Sequence, residues 1–210
     1  MFGGKIRIGG AIGRKSVKNF TIGTKRPSIE RYASLANVAY ESPTERPQTL
    51  NNFTLNPSLS NERIAVYTSD KDKRVQIGLR GTANLQDVAT DITAVIGGKR
   101  ESNPYFKSAE ETVQKVREQF PSYGISVAGH SLGGSVGREI AKKNPDVKVF
   151  GFNPGASVQD ALTPNPDNFY TIRNRMDIVS ALDNPSNVSG TFYSERNPLR
   201  AHGIGTFLTK

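Results

Sequence analysis

From residue 29 onward the apolar positions switch period repeatedly, from helical spacing to strand spacing and back. Ile29, Tyr32, Leu35, Ala36 and Ala39 share one face of a helix that Ser28 can cap. A polar loop holding Pro43, Pro47 and Pro57 leads to two strand-like runs, RIAVYTS and RVQIGLRG, joined by the charged turn DKDK. Phe106, Ala109, Val113, Val116 and Phe120 recur at helical spacing, and Pro121 ends that helix. GISVAG, VKVFGF and FYTIR read as further strands, with a helix starting near Gly133 between the first two. Strands alternating with helices predict an α/β fold with a mostly parallel sheet covered on both faces.

Composition changes this picture at one end of the chain. The net charge of +9 is concentrated in residues 1–28, where Lys5, Arg7, Arg14, Lys15, Lys18, Lys25 and Arg26 meet no acidic residue. This stretch is rich in glycine and poor in large apolar groups, so it reads as a basic arm, with a boundary near Pro27 and a single domain over residues 29–210. Such an arm can approach an anionic membrane or nucleic acid, or dock inside an assembly such as a virus particle. There is no cysteine, and the two histidines, His130 and His202, leave little for a metal site. No apolar run is long enough to span a bilayer, and the first residues do not form a signal-peptide core; a soluble protein, intracellular or packaged, is expected.

The chemistry concentrates in GHSLGG, residues 129–134. Strand, G-x-S-x-G and helix together are the signature of a nucleophile elbow: Ser131 stands at the turn, Gly129 and Gly133 allow strand and helix to approach, and the Leu132 N–H faces a developing oxyanion. The residue before the nucleophile projects beneath the turn, so His130 is expected to pack or support rather than act as base. His202, near the C-terminus, is left as the proton acceptor. The acid should lie between Ser131 and His202. Asp177 follows a strand through a short polar exit; Asp160, Asp167 and Asp183 compete from loops rich in proline or asparagine.

These stretches, in this order over roughly residues 30–207, resemble the class 3 lipases, the fungal-lipase-like branch of the α/β hydrolases. IGLRGTANLQDVATDI is similar to the family's R-G-T strand and following helix, VAGHSLGG to its elbow, VFGFNPGA to the strand and turn after it, NRMDIVS to its acid loop and AHGIG to its histidine. The resemblance implies a compact α/β-hydrolase fold with Thr82 as second oxyanion-hole residue, through its N–H and its hydroxyl. It also implies a carboxylic ester hydrolase without cofactor, of triacylglycerol lipase or phospholipase A1 type, acting on a lipid or ester substrate through an acyl-enzyme. Leu85, Val88, Ile92 and Val95, within residues 83–105, can form either a lid or a fixed core helix. The alternative from another class is a structural, nucleic-acid- or membrane-associated protein that keeps the hydrolase fold without using it.

Overall fold

The computed structural model describes residues 26–82, 100–184, 187–192, 195 and 197–208. Almost all of the basic arm, and the amphipathic stretch from Leu85 to Val95, lie outside the described residues.

The first helix, α1 (Arg26–Val38), starts earlier than expected and takes Pro27 and Ser28 into its first turn, where the N–H that proline lacks has no intrahelical partner to lose. Its apolar face is buried at Ile29, Leu35 and Ala36, as is Ala39 just past its end, and Tyr32 stacks on Phe150 with ring centroids 3.9 Å apart.

The stretch expected to be a polar loop instead contains a hairpin, β1 (Thr49–Leu50) and β2 (Phe53–Leu55). Asn51 and Asn52 both take positive φ, 52° and 68°, a conformation that asparagine tolerates and that tight two-residue hairpins demand. The two runs joined by DKDK are β3 (Ile64–Ser69) and β4 (Arg74–Leu79), paired antiparallel. From β4 the sheet continues in parallel through β5 (Gly124–His130), β6 (Lys148–Phe152), β7 (Phe169–Asn174) and β8 (Val188–Phe192), in sequential order.

Helix α2 (Pro104–Gln119) begins under the cap of Asn103, whose side chain accepts the Tyr105 N–H at 2.9 Å, and stops one residue before Pro121 at Phe120. Helix α3 (Leu132–Lys143) leads directly from the elbow. Two short helices follow, α4 (Val158–Leu162) and α5 (Pro198–Ala201). The sheet is buried on both faces. Ile77, Leu79, Val127 and Val149 pack against α2 and α3, while Ala65, Ala128, Phe150 and Phe152 pack on the side of α1 and the C-terminal turn. Double-sided burial explains why the parallel strands read as nearly continuous apolar runs. Thr82, Ser131 and Asp177 stand just beyond the C-terminal ends of β4, β5 and β7, where open parallel sheets place their ligands, and His202 follows α5.

Candidate active site

β5 ends at His130, α3 starts at Leu132, and Ser131 between them has φ 54° and ψ −121°, a backbone conformation that only a well-determined turn can hold. Its N–H donates to the Phe152 carbonyl at 3.0 Å, and its own carbonyl accepts from the Ser135 and Gly155 N–H groups at 3.2 Å each. The flanking glycines are required by contact distances. A Cβ on Gly133 would stand 2.3 Å from the Leu79 carbonyl oxygen, and one on Gly129 would stand 2.2 Å from that of Gly133.

His202 follows α5 and brings its ring between two of the other expected residues. Its Nε2 is 2.8 Å from Ser131 Oγ, and its Nδ1 is 2.9 Å from Asp177 Oδ1. A carboxylate only accepts, so Nδ1 carries the proton and Nε2 is free to receive one from the serine hydroxyl. Ser131, Asp177 and His202 are 1%, 2% and 3% exposed, so these polar contacts are made out of water.

Asp177 lies three residues beyond β7. Its Oδ1 also accepts the Val179 N–H at 3.1 Å, and its Oδ2 the Ser180 N–H at 3.0 Å. Burial by itself would raise its pKa, but the hydrogen bonds from His202 and Ser180 prevail and hold the carboxyl below the ordinary aspartate value. Sequence reasoning missed these backbone contacts, although Asp177-Ile178-Val179-Ser180 has the form of an Asx turn.

Two of the three competing aspartates are engaged elsewhere, and Asp167 is exposed. Asp160 is not in a loop: it is the third residue of α4 and completes a capping box with Ser157. It also pairs with Arg100, and with Arg138 at 3.2 Å. Arg138, on α3 and 1% exposed, pairs as well with Asp183. Paired acids of this kind keep a buried guanidinium from being left uncompensated.

His130 does not meet Ser131 Oγ. Its Nδ1 is 2.6 Å from Tyr40 Oη and its Nε2 is 2.6 Å from the His202 carbonyl oxygen. Burial first, and then the neighbouring His202, push its pKa down to about 3, so the ring is neutral.

Thr82, just beyond β4, has a buried hydroxyl with no hydrogen-bond partner among the described residues. A Cβ on the adjacent Gly81 would lie 3.0 Å from Ser131 Cβ, which puts this segment against Ser131. Across from it, the first N–H groups of α3, that of Leu132 among them, have no intrahelical acceptor. A buried serine, an imidazole in line with a carboxylate and unspent donors nearby make an arrangement suited to acyl transfer.

The sequence pattern of class 3 lipases matches residues 76–186, more than half of the chain. The chain belongs to the class 3 lipase family. As a member of that family it is a carboxylic ester hydrolase with the α/β-hydrolase fold, as the order of the motifs implied. Solved lipases share the fold. Lip2 lipase from Yarrowia lipolytica is 20% identical over 85% of this chain and 84% of its own, with a TM-score of 0.54. A triacylglycerol lipase from Penicillium expansum is 18% identical over 85% and 82%, with a TM-score of 0.55. A lipase from Rhizopus microsporus var. chinensis is 14% identical over 98% and 89%, with a TM-score of 0.53. A search of curated proteins finds no match to the chain.

Proposed function

We propose that this class 3 lipase cleaves carboxylic esters of long-chain lipids by acyl transfer through Ser131. The observation that carries the reading is the continuous line from Asp177 Oδ1 through the His202 ring to Ser131 Oγ, with contacts of 2.9 and 2.8 Å. As Ser131 Oγ attacks the ester carbonyl carbon, His202 Nε2 takes its proton and Asp177 stabilises the resulting imidazolium. The carbonyl oxygen becomes an oxyanion, which the N–H groups of Leu132 and Thr82 and the Thr82 hydroxyl receive. Collapse breaks the bond to the alcohol, which leaves with the proton from His202. Water, deprotonated by the same imidazole, then attacks the acyl-enzyme and frees the acid and Ser131.

Exposed apolar side chains favour a lipid over a small soluble ester. Val158 and Leu162, one turn apart on α4, are 80% and 76% exposed, and Ile178, next to Asp177, is 63% exposed. They follow the C-terminal ends of β6 and β7, on the side of the sheet where Ser131 stands. Apolar surface beside a reaction centre suits acyl chains. The basic residues before Pro27 add a charge that complements anionic lipid.

The test is a panel of p-nitrophenyl esters of increasing chain length, run beside triacylglycerol emulsions and phospholipid vesicles, with a fluorophosphonate probe to count reactive serines. Ser131-specific labelling and preference for long chains are expected. A folded protein that neither labels nor turns over any ester would favour a lipase fold kept for a structural role.

A further inference from the structure

Tyr40 lies just beyond α1, far in sequence from every motif of the site, yet its hydroxyl touches two of them. The Gly81 N–H, next to Thr82, donates to Tyr40 Oη at 3.1 Å. Tyr40 Oη is in turn 2.6 Å from His130 Nδ1, and His130 Nε2 is 2.6 Å from the His202 carbonyl oxygen. The direction of each bond follows from the partners. A carbonyl only accepts, so His130 Nε2 carries the hydrogen; Nδ1 is then an acceptor, and the Tyr40 hydroxyl donates to it.

We propose that Tyr40 and His130 are positioning residues that tie the oxyanion-hole segment at Gly81–Thr82 to the main chain of His202, so that the proton acceptor and the oxyanion donors hold one geometry relative to Ser131. The inference rests on the hydrolase reading above.

Two features show that the connection is built in. A Cβ on Gly81 would stand 2.4 Å from Tyr40 Oη, so this close approach requires glycine. The preceding residue is clamped from the other side, where Tyr105 Oη donates to the Arg80 carbonyl at 2.6 Å. The charged and titratable groups around the chain of bonds include Arg80, 5.8 Å from the Tyr40 ring centroid, Tyr105, His202 and Asp177. Burial raises the Tyr40 phenol above its ordinary pKa, which keeps the hydroxyl a donor. None of these three links reaches a reacting atom, and so their effect passes through the placement of groups that do. Misplacement of a catalytic group by about 1 Å can cost on the order of 100-fold in rate.

The experiment compares wild type, Tyr40→Phe, His130→Leu, His130→Gln and the Tyr40→Phe/His130→Leu double variant on p-nitrophenyl butyrate, with active sites counted by fluorophosphonate titration. Tyr40→Phe is expected to lower kcat roughly 10- to 100-fold with KM within about twofold. His130→Gln, whose amide can donate to the His202 carbonyl and accept from Tyr40, should recover much of what His130→Leu loses. The double variant should be no slower than the worse single one, because one chain of bonds is being cut twice.

A second readout does not depend on turnover. The chain has two histidines, so ¹⁵N-histidine spectra should show one neutral ring protonated at Nε2, His130, and one protonated at Nδ1, His202. Tyr40→Phe should move the His130 Nδ1 resonance. Wild-type kcat per titrated site in Tyr40→Phe, additive losses in the double variant, or a His130 ring protonated at Nδ1 would each overturn the positioning role alone. A wild-type protein that neither reacts with the probe nor hydrolyses the ester would overturn the hydrolase reading and this role with it.

Discussion

His130 and His202 stand with ring centroids 4.9 Å apart, yet only His202 reaches Ser131 Oγ, while His130 bonds to the His202 backbone. The two rings donate from opposite nitrogens, because each faces an obligate acceptor at a different atom. Substitution should therefore separate them sharply. His202→Ala is expected to lower kcat by about 10⁵- to 10⁶-fold, and His130→Gln by far less, when both are measured on a soluble ester and normalised to folded protein. A well-folded His130→Gln as inactive as His202→Ala would overturn the assignment of the base.

Asp177→Asn tests the other end of the line. The variant can orient His202 wrongly, and should lower kcat by about 10⁴-fold. It also places an amide N–H₂ where Oδ1 or Oδ2 now accepts the Val179 or Ser180 N–H, so a modest loss of stability should accompany the loss of rate. Near-wild-type turnover in Asp177→Asn would move the acid role to another residue. The pairing of Asp160 and Asp183 with Arg138 argues that these two are not the replacement.

How much of this was legible in the sequence depends on the range of each interaction. The elbow, the strands β3–β7 and the helices α2 and α3 follow local periodicity with nearby stop signals, and they stand close to where the pattern puts them. The β1–β2 hairpin did not register, because its strands are two and three residues long and its signal is only the pair Asn51-Asn52. β8, VSGTF, carries too little apolar alternation to read as a strand. The grouping of Arg138 with Asp160 and Asp183 joins residues 22 and 45 positions apart, and the link from Tyr40 to His130 spans 90. Contacts at such separations leave no periodic trace.

Asn153 holds the histidine loop in place. With φ 43° and fully buried, it donates from its amide to the Ala201 carbonyl at 2.9 Å and to the His202 carbonyl at 3.0 Å, and its Oδ1 accepts the Asn174 N–H at 2.8 Å. Asn153→Asp replaces the two donors with a carboxylate oxygen facing two carbonyls. A destabilisation of at least about 2 to 3 kcal/mol is expected in urea unfolding near neutral pH. A variant as stable as wild type would show that these bonds are dispensable.

The acid side of the stability profile should carry the mark of His130. Its folded pKa is about 3 against 6.5 for a free histidine, so between these values the unfolded chain binds the extra proton. Stability contributed by this group is full above pH 6.5 and falls as the pH drops towards 3, by at most about 1.4 kcal/mol per pH unit. Asp177, with its pKa depressed, adds stability that is full above pH 3.8 and is lost as the pH falls below that value. Urea unfolding from pH 7 to 4.5 should thus show a steeper decline in wild type than in His130→Gln. Parallel profiles would mean that His130 is not held neutral.

Thr82→Val separates a catalytic hydroxyl from a structural one. The Thr82 hydroxyl is buried without a hydrogen-bond partner among the described residues, which is a cost to the resting fold. Valine keeps the shape and the backbone N–H while removing that unsatisfied group. Stability should therefore be unchanged or slightly higher. Turnover should respond the other way, because a donor aimed at the developing oxyanion is worth roughly 10²- to 10³-fold in kcat. The loss should appear in kcat with little change in KM, since the charge that the hydroxyl would receive exists only in the transition state. A Thr82→Val protein with raised stability and unchanged kcat would take the hydroxyl out of the oxyanion hole and leave the N–H groups of Thr82 and Leu132 to serve it. A protein that loses stability and kcat together would mean that the hydroxyl bonds within the resting structure after all.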